Sequence, residues 1–360
     1  MDNPTVSINI VVLNGGKYIR HCLESVLAQT YPHELIEINI LDNGSIDDTK
    51  KVIQDLEFKI SDLGFAKFNF VESKLNLGMW GGQEELLHQS QGKYIVFLSV
   101  DVILEKDFIL NAVRTLNTNP KLGAVQGKIY QFNIVGLSSN SYVLSPKIID
   151  SCGFKIFRSR RVVNIGHGET DTGQYNKACS IFGVEGAVPV FKKEALESIR
   201  ISIDGPPEDG QFPTEIADHD LFWYGEDLDV AWRLRMAGWE QYYEPSVLAW
   251  HDRQTTKRIS GGLTNFIAIR RAIPLQKRRL EWRNVRCTII KNDYIINVLK
   301  DLIYILPREI TMTGYLLIFE IAVFLELFSL LKLIPRMIRK RKTIMKQAKV
   351  GPSEIHAYFS

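Results

Sequence analysis

Three carboxylates, Glu226, Asp227 and Asp229, fall within four residues at the head of segment 224–239 (YGEDLDVAWRLRMAGW). The segment reads as a short helix. Gly225 ends what precedes it, Gly238 follows the last apolar turn as a C-terminal cap, and acids in the first turn suit the positive end of the helix dipole. Leu228, Ala231, Trp232 and Arg235 fall on one side of this helix and Val230, Leu234 and Ala237 on another, the pattern of a buried helix. Capping is the bland account of the acids. The sharper one is that a buried helix opening with three carboxylates aims them at a ligand. Further acids and amides, Asn14, Asp42, Asn43, Asn76 and Asp101, each stand just past a short apolar run or in the turn that follows one.

The elements that must position these groups can be read off in order. Run 7–13 (SINIVVL) is short, apolar and β-branched, as a strand buried on both faces is; 36–41, 68–72 and 94–98 read as the second, third and fourth strands. Helical spacing over 18–29 (Ile19, Cys22, Leu23, Val26, Leu27) is stopped by Tyr31-Pro32. A second helix, capped by Ser45 or Asp47, runs to about Leu56, and the glycine-rich turn 76–82 leads into a third that ends near Gln91-Gly92. Four alternations of strand and helix predict a parallel sheet with helices on both faces. In such sheets the ligand lies beyond the carboxyl ends of the strands. One Asp there is routine as the cap of the next helix; several acids and amides on one edge are harder to explain that way. The first turn lacks GxGxxG and the chain has no GxxxxGK[ST], which disfavours a dinucleotide site or a P-loop.

Composition divides the chain. Its formal net charge is +3, yet residues 1–252 carry 23 basic and 34 acidic side chains (net −11), whereas residues 253–349 carry 21 and 6 (net +15). An acidic body followed by a basic segment suggests two jobs. The four cysteines, Cys22, Cys152, Cys179 and Cys287, form no close pair, which suits a reducing compartment and gives no zinc or redox motif. With no basic-then-apolar leader before Val6, the expected body is cytoplasmic.

The pieces VVLNGGKYIRHCLESVLAQTYP, LDNGSIDDT, NLGMWGGQ, YIVFLSVD, GVEGAVPVFKKEAL and GEDLDVAWRLRMAGW follow one another from Ser7 to about His251. As an ordered set they resemble the family 2 glycosyltransferases of the GT-A fold, and the last pieces look most like the rhamnosyltransferase-type branch. The resemblance implies an α/β fold: a mixed, mainly parallel sheet flanked by helices over residues 1–258, with a helical basic and apolar extension over 259–360. It implies an inverting enzyme that moves a hexose, rhamnose being one candidate, from dTDP or UDP to a lipid-linked or cell-surface glycan. Asp42 would accept a hydrogen bond from the imide of the base, with Asn14, Asn43, Asn76 and Gly78 shaping the nucleotide pocket. Asp101 matches the last acid of the DxD-type motif that holds a divalent metal on the diphosphate, and His251 takes a family position beside it. Oxygen ligands suit Mg²⁺ or Mn²⁺. Here the motif departs from pattern, since Ser99-Val100-Asp101 has a single acid. Asp227 matches the catalytic base, with Glu226 able to share that role and Asp229 structural. Two rival readings are a sugar-nucleotide nucleotidyltransferase and a catalytically degenerate glycan- or nucleotide-binding scaffold, which the single acid favours.

Between Asp101 and Gly183 the expectations are coarser. Residues 121–132 contain a strand, 184–191 another, and 166–175 form a polar loop on which His167 is expected to be exposed. The acidic stretch 204–222 is either an acceptor-specificity loop or a solvated insertion. The run 314–335 is long enough to span a bilayer, but Glu320 and Glu326 would each cost about 2.5–3.5 kcal/mol at mid-membrane. An interfacial anchor at the inner face of the cell membrane is the favoured reading, against a span or a homodimer contact. No nucleic-acid motif is present.

Overall fold

The structure is a computed structural model and describes residues 5–132, 147–202, 214–253 and 262–360. The chain forms two compact units. One comprises Met1–Gly153, Asn164–Ser198 and Trp239–Arg253; the other comprises Phe154–Val163, Ile199–Gly238 and Gln254–Ser360.

The first unit is built on one mixed sheet. Strands β1 (Val6–Val12), β2 (Ile36–Asp42), β3 (Lys67–Glu72) and β4 (Tyr94–Ser99) pair in parallel in the order β3-β2-β1-β4. Every residue of β1 and β2 is buried, because both faces are covered. Ile8, Ile10 and Val12 pack with Ile19, Leu23 and Val26 of α1 (Ile19–Leu27) and with Ile53 and Leu56 of α2 (Thr49–Asp62). On the opposite face Val11 and Leu41 meet Leu86 of α3 (Gly78–Gln89). The continuous apolar runs of β1 and β2 are thus the mark of strands with no solvent side, whereas β3, at the edge of the sheet, is only partly buried.

Beyond β4 the sheet becomes mixed. Strand Val190–Lys192 lies antiparallel between β4 and β6 (Leu122–Gln131). The long strand Glu240–His251 runs parallel to β6 and antiparallel to β5 (Val102–Leu104), while β7 (Ile149–Ser151) pairs antiparallel with β6. A register shift between Glu244 and Leu248 brings Val247 over Gly127, where any Cβ would lie 2.4 Å from the Val247 carbonyl oxygen. Helices α4 (Phe108–Thr118) and α5 (Lys193–Ser198) complete the unit.

One expectation is corrected here. Residues 184–191 were expected to form a strand, but only Val190–Lys192 does. The amides of Val184 and Glu185 bond to the Gln241 and Gln126 side chains, so side chains take the place of a ladder.

The second unit is mainly helical: α6 (Glu226–Met236), α7 (Leu263–Ala272), α8 (Leu275–Asn292), α9 (Ile295–Lys300), α10 (Leu302–Phe319), α11 (Ile321–Phe324), α12 (Glu326–Gln347) and α13 (Pro352–His356). Helices α8 and α12 pack along each other around Cys287, Leu330 and Met337. Much of the interior is ionic. Lys291, fully buried, lies 2.5 Å from Asp218 and 2.9 Å from Asp229, and Lys340 pairs with Glu215 and Asp218. Run 314–335 is not one helix. It breaks at Glu320 (φ −142°) and Leu325, and Pro307 and Pro335 lie inside α10 and α12. Glu320 is drawn inward by Arg270 at 2.7 Å, Arg278 at 3.1 Å and the Tyr315 hydroxyl at 2.8 Å. Of the described residues, α10 alone is a helix long and apolar enough to cross a membrane.

Candidate functional site

Register brings the predicted residues of the first unit to one sheet edge. Val12 stands opposite Asp42, and Val11 opposite Ser99, so Asn14, Asp42 and Asp101 all follow the carboxyl ends of neighbouring strands. Asp42 is buried and its Oδ1 accepts from the Ser45 amide at 2.8 Å. Asn14 is exposed at φ +52°; its amide donates to Ser45 Oγ and its Oδ1 accepts from the Ile46 amide. The amides of Gly15 and Gly16 bond to Thr49 Oγ1 and Asp47 Oδ2. The turn after β1 is therefore laced to the loop after β2, and this fixes where Asp42 points.

A second brace holds the start of α3. Asn43 Nδ2 donates to the Gly78 carbonyl at 3.0 Å and its Oδ1 accepts from the Leu77 amide, while Asn76 Oδ1 accepts from the Gly78 amide at 2.9 Å. Gly78 adopts φ +75°, which an L side chain resists. Asn43, Asn76 and Gly78 are thus one mutually bonded bracket beneath Asp42.

At Asp101 the structure adds partners that the sequence did not disclose. The strand Glu240–His251 pairs with β5, and the Asp252 amide bonds to the Asp101 carbonyl at 3.0 Å. This sets His251 Nε2 at 3.3 Å from Asp101 Oδ2. The other ring nitrogen, Nδ1, donates to Asp150 Oδ2 at 2.9 Å. Asp150 is fully buried and also accepts from Arg253 Nε at 2.8 Å; Arg253 reaches on to Glu185 Oε1 at 2.6 Å. Burial opposes charge on Asp150, but the Arg253 guanidinium outweighs it and the carboxyl lies far below its usual range. Burial likewise pulls the His251 imidazole down, yet Asp101 and Asp150 hold it up at about 9. Burial raises the Asp101 carboxyl, and His251 brings it below its ordinary value.

The donor set fits a divalent ion. Asp101 offers a hard oxygen, and His251 a borderline nitrogen once a bound cation displaces its Nε2 proton; a carboxylate on the far ring nitrogen is the arrangement that orients metal-ligating histidines. Among the described residues no cluster of three or more His, Cys, Asp or Glu side chains forms a metal site, so protein donors would number two. His167, expected to be exposed, is instead largely buried, its Nδ1 donating to the Asp150 carbonyl at 2.8 Å; the backbone of β7 offers it a partner that water would otherwise supply. Asp150, Arg253 and Glu185 went unread in the sequence. Only the nearness of Arg253 to His251 could have signalled any of them.

In the second unit, α6 begins after Gly225 at φ +96°. Asp229 is fully buried, with Lys291 at 2.9 Å and Asn292 at 2.7 Å, a structural acid as expected. Glu226 is buried and its Oε2 has no hydrogen-bond partner among the described residues. Burial, then the neighbouring Asp227 charge, raise its carboxyl to about 8. Asp227 is partly exposed and its Oδ1 accepts from the Leu228 amide at 2.8 Å. Of the two leading acids, Asp227 is the one with access to solvent.

Comparison with known proteins bears on this geometry. Residues 7–198 match the profile of glycosyl transferase family 2. A poly-beta-1,6-N-acetyl-D-glucosamine synthase of Staphylococcus epidermidis is 26% identical over 245 residues, covering 68% of this chain and 49% of that protein. The Staphylococcus aureus enzyme of the same name is 24% identical over 245 residues, with the same coverage. The chain therefore spans about half the length of these relatives. Among solved structures, GalNAc-T7 with UDP, GalNAc and Mn²⁺ superposes with a TM-score of 0.54 at 13% identity, covering 80% of this chain and 48% of that one. The mannosyltransferase PcManGT from Pyrobaculum calidifontis, with GDP-Man and Mn²⁺, gives 0.51 at 17% identity, covering 99% and 86%. At these identities the structural likeness speaks for the GT-A fold alone. The profile match extends over more than half of the sequence, and the chain belongs to glycosyl transferase family 2.

Proposed function

We propose that the protein is an inverting, metal-dependent hexosyltransferase. Its donor is a dTDP- or UDP-linked hexose, with rhamnose as the sugar suggested by the sequence. Its acceptor is a glycan or a polyprenyl-diphosphate-linked sugar at the cytoplasmic face of a membrane, and its product belongs to polysaccharide assembly. Residues 1–258 form the catalytic domain and 259–360 its membrane-side extension.

One observation carries this reading: Asp101 and the Asp150-anchored His251 stand together on the sheet edge that also presents Asp42. Asp42 Oδ1 is taken by Ser45, and Oδ2 would accept the imide N–H of uracil or thymine. Asp101 and His251 would hold Mg²⁺ or Mn²⁺, which when bound neutralises charge on the departing diphosphate. Asp227 takes the proton of the attacking acceptor hydroxyl. Glu226, holding its own proton near neutral pH, leaves that role to Asp227.

The extension supports a membrane surface as partner. Ile303, Leu306, Ile310 and Leu317 are at least half exposed and recur at helical spacing along α10, and Phe328 and Leu331 do the same on α12. Of the three acids of this stretch, Glu320 and Glu326 are buried against Arg270 and Arg279, and Glu309 is paired with Arg286 and Arg308. Exposed Lys342 and Lys346 follow on α12. An apolar face bordered by bases suits an anionic bilayer interface.

The test is Asp227→Asn assayed for nucleoside diphosphate release. The reading expects donor binding to persist and transfer to fall by at least about a hundredfold, within the range general-base catalysis supplies. Release of pyrophosphate by the wild type would overturn it.

A further inference from the structure

Immediately before α6 the chain carries three aromatic residues in a row, Phe222, Trp223 and Tyr224. Phe222 and Tyr224 have φ values of +60° and +66°, a region that bulky side chains avoid. Such strain persists only where the surroundings hold it, and it gathers at ligand clamps. The hold here is Asn284 of α8, which is fully buried. Its Nδ2 lies 2.9, 2.8 and 2.6 Å from the carbonyl oxygens of Leu221, Trp223 and Tyr224. Gly225 lets the chain pass close by; a Cβ there would sit 3.3 Å from Asn284 Cβ.

The strained loop yields a stack that faces water. The Trp223 and Tyr224 rings lie 4.7 Å apart at 14°, and Lys277 Nζ stands 4.9 Å from the centre of the Tyr224 ring. Trp223 is nevertheless 44% exposed and Phe222 45%. A lone exposed aromatic needs no explanation. A stacked indole on a strained backbone, clamped by a buried amide yet left half in water, is built to meet something.

We propose that Trp223, backed by Tyr224 and Lys277, is the platform on which the ring of the acceptor sugar lies, apolar C–H face down. The inference rests on Asp227 as the base of the transfer reaction. Four residues of chain span at most about 14 Å, so the indole and the Asp227 carboxylate can address one acceptor. The electron-rich face of an indole suits the C–H face of a pyranose, and the cation beneath Tyr224 fixes the second ring in place. The ligand class is therefore a hexopyranoside with at least one face free of axial hydroxyls.

The test uses the full chain labelled with 5-fluorotryptophan, with the Trp223 resonance identified by its loss in Trp223→Phe. Probes are methyl glycosides of hexoses, 6-deoxyhexoses and N-acetylhexosamines, their di- and trisaccharides, and lipid vesicles without sugar. The Trp223 resonance should shift saturably with at least one glycoside. Trp223→Ala should weaken that glycoside about tenfold or more, and Trp223→Phe should recover most of the loss. Stabilisation by UDP or dTDP should stay unchanged in both variants. A Trp223 resonance that no glycoside moves while donor is still turned over would overturn the platform and spare the transferase. Movement with vesicles alone would overturn it in favour of lipid. Full transfer by Asp227→Asn would remove the base, and the platform with it. If Trp223→Ala does not fold, the wild-type titration and Trp223→Phe decide alone.

Discussion

The His251 imidazole hangs from the Asp150 carboxylate, Nδ1 donating to Oδ2 at 2.9 Å, which leaves Nε2 turned toward Asp101. Neither residue could be paired from sequence, since 101 positions separate them. If His251 serves a metal, Asp150→Asn should weaken Mn²⁺ binding by about 10–100-fold, the usual cost of losing such a support. Isothermal titration with Mn²⁺ would measure this, and circular dichroism would check the fold, because Arg253 loses a buried partner too. Unchanged affinity would assign Asp150 to the fold alone.

Glu226 makes stability depend on pH with a definite sign. Its folded carboxyl titrates near 8 because it is buried beside Asp227, against an ordinary value of 4.5. Below pH 4.5 both folded and unfolded chains hold the proton. Between the two values only the folded chain does, so stability falls as pH rises through this window. Between pH 6 and 8 the loss is about 2–3 kcal/mol. Glu226→Gln removes the titration. Urea unfolding at pH 6 and pH 9 should show a clear drop for the wild type and a smaller one for the variant; parallel drops would place the titration elsewhere.

The membrane reading predicts salt-dependent binding to anionic vesicles. Ile303, Ile310 and Ile318 are 72%, 70% and 74% exposed, so replacing all three with Glu should leave the fold intact. Co-sedimentation with phosphatidylserine vesicles should then fall at least about tenfold, since each buried aliphatic side chain is worth roughly 1.5 kcal/mol or more. A variant that binds vesicles as well as wild type, but no longer dimerises in the ultracentrifuge, would identify the face as a dimer contact.

What could be read in the sequence follows from where the information lies. Three of the four parallel strands, β1, β2 and β4, are apolar runs that lead into Asn14, Asp42 and Asp101, so strand pattern and strand-end chemistry located that edge. The acids of α6 were visible because all three fall within four residues, and Asp229 is held structurally by Lys291 and Asn292. Partners brought by tertiary contact left no local trace. Asp150 comes from a three-residue strand, and Glu185 and Arg253 meet only because Glu240–His251 crosses the sheet. Glu320 looked like an acid in an apolar span because its arginines, Arg270 and Arg278, lie 50 and 42 positions earlier. Part of the acidic stretch expected over 204–222 lies outside the described residues.

The central claim is that Asp42 and Asp101 jointly hold a nucleoside diphosphate through a divalent ion. Thermal shift with UDP, dTDP, GDP and CMP, each with Mn²⁺ or with EDTA, tests it most directly on wild type and Asp101→Asn. A ligand at about 100 times its Kd adds about 2.7 kcal/mol. The account predicts stabilisation by UDP or dTDP that needs Mn²⁺ and disappears in Asp101→Asn. A folded wild type that responds to none of the four nucleotides, or responds equally in EDTA and in the variant, would contradict it.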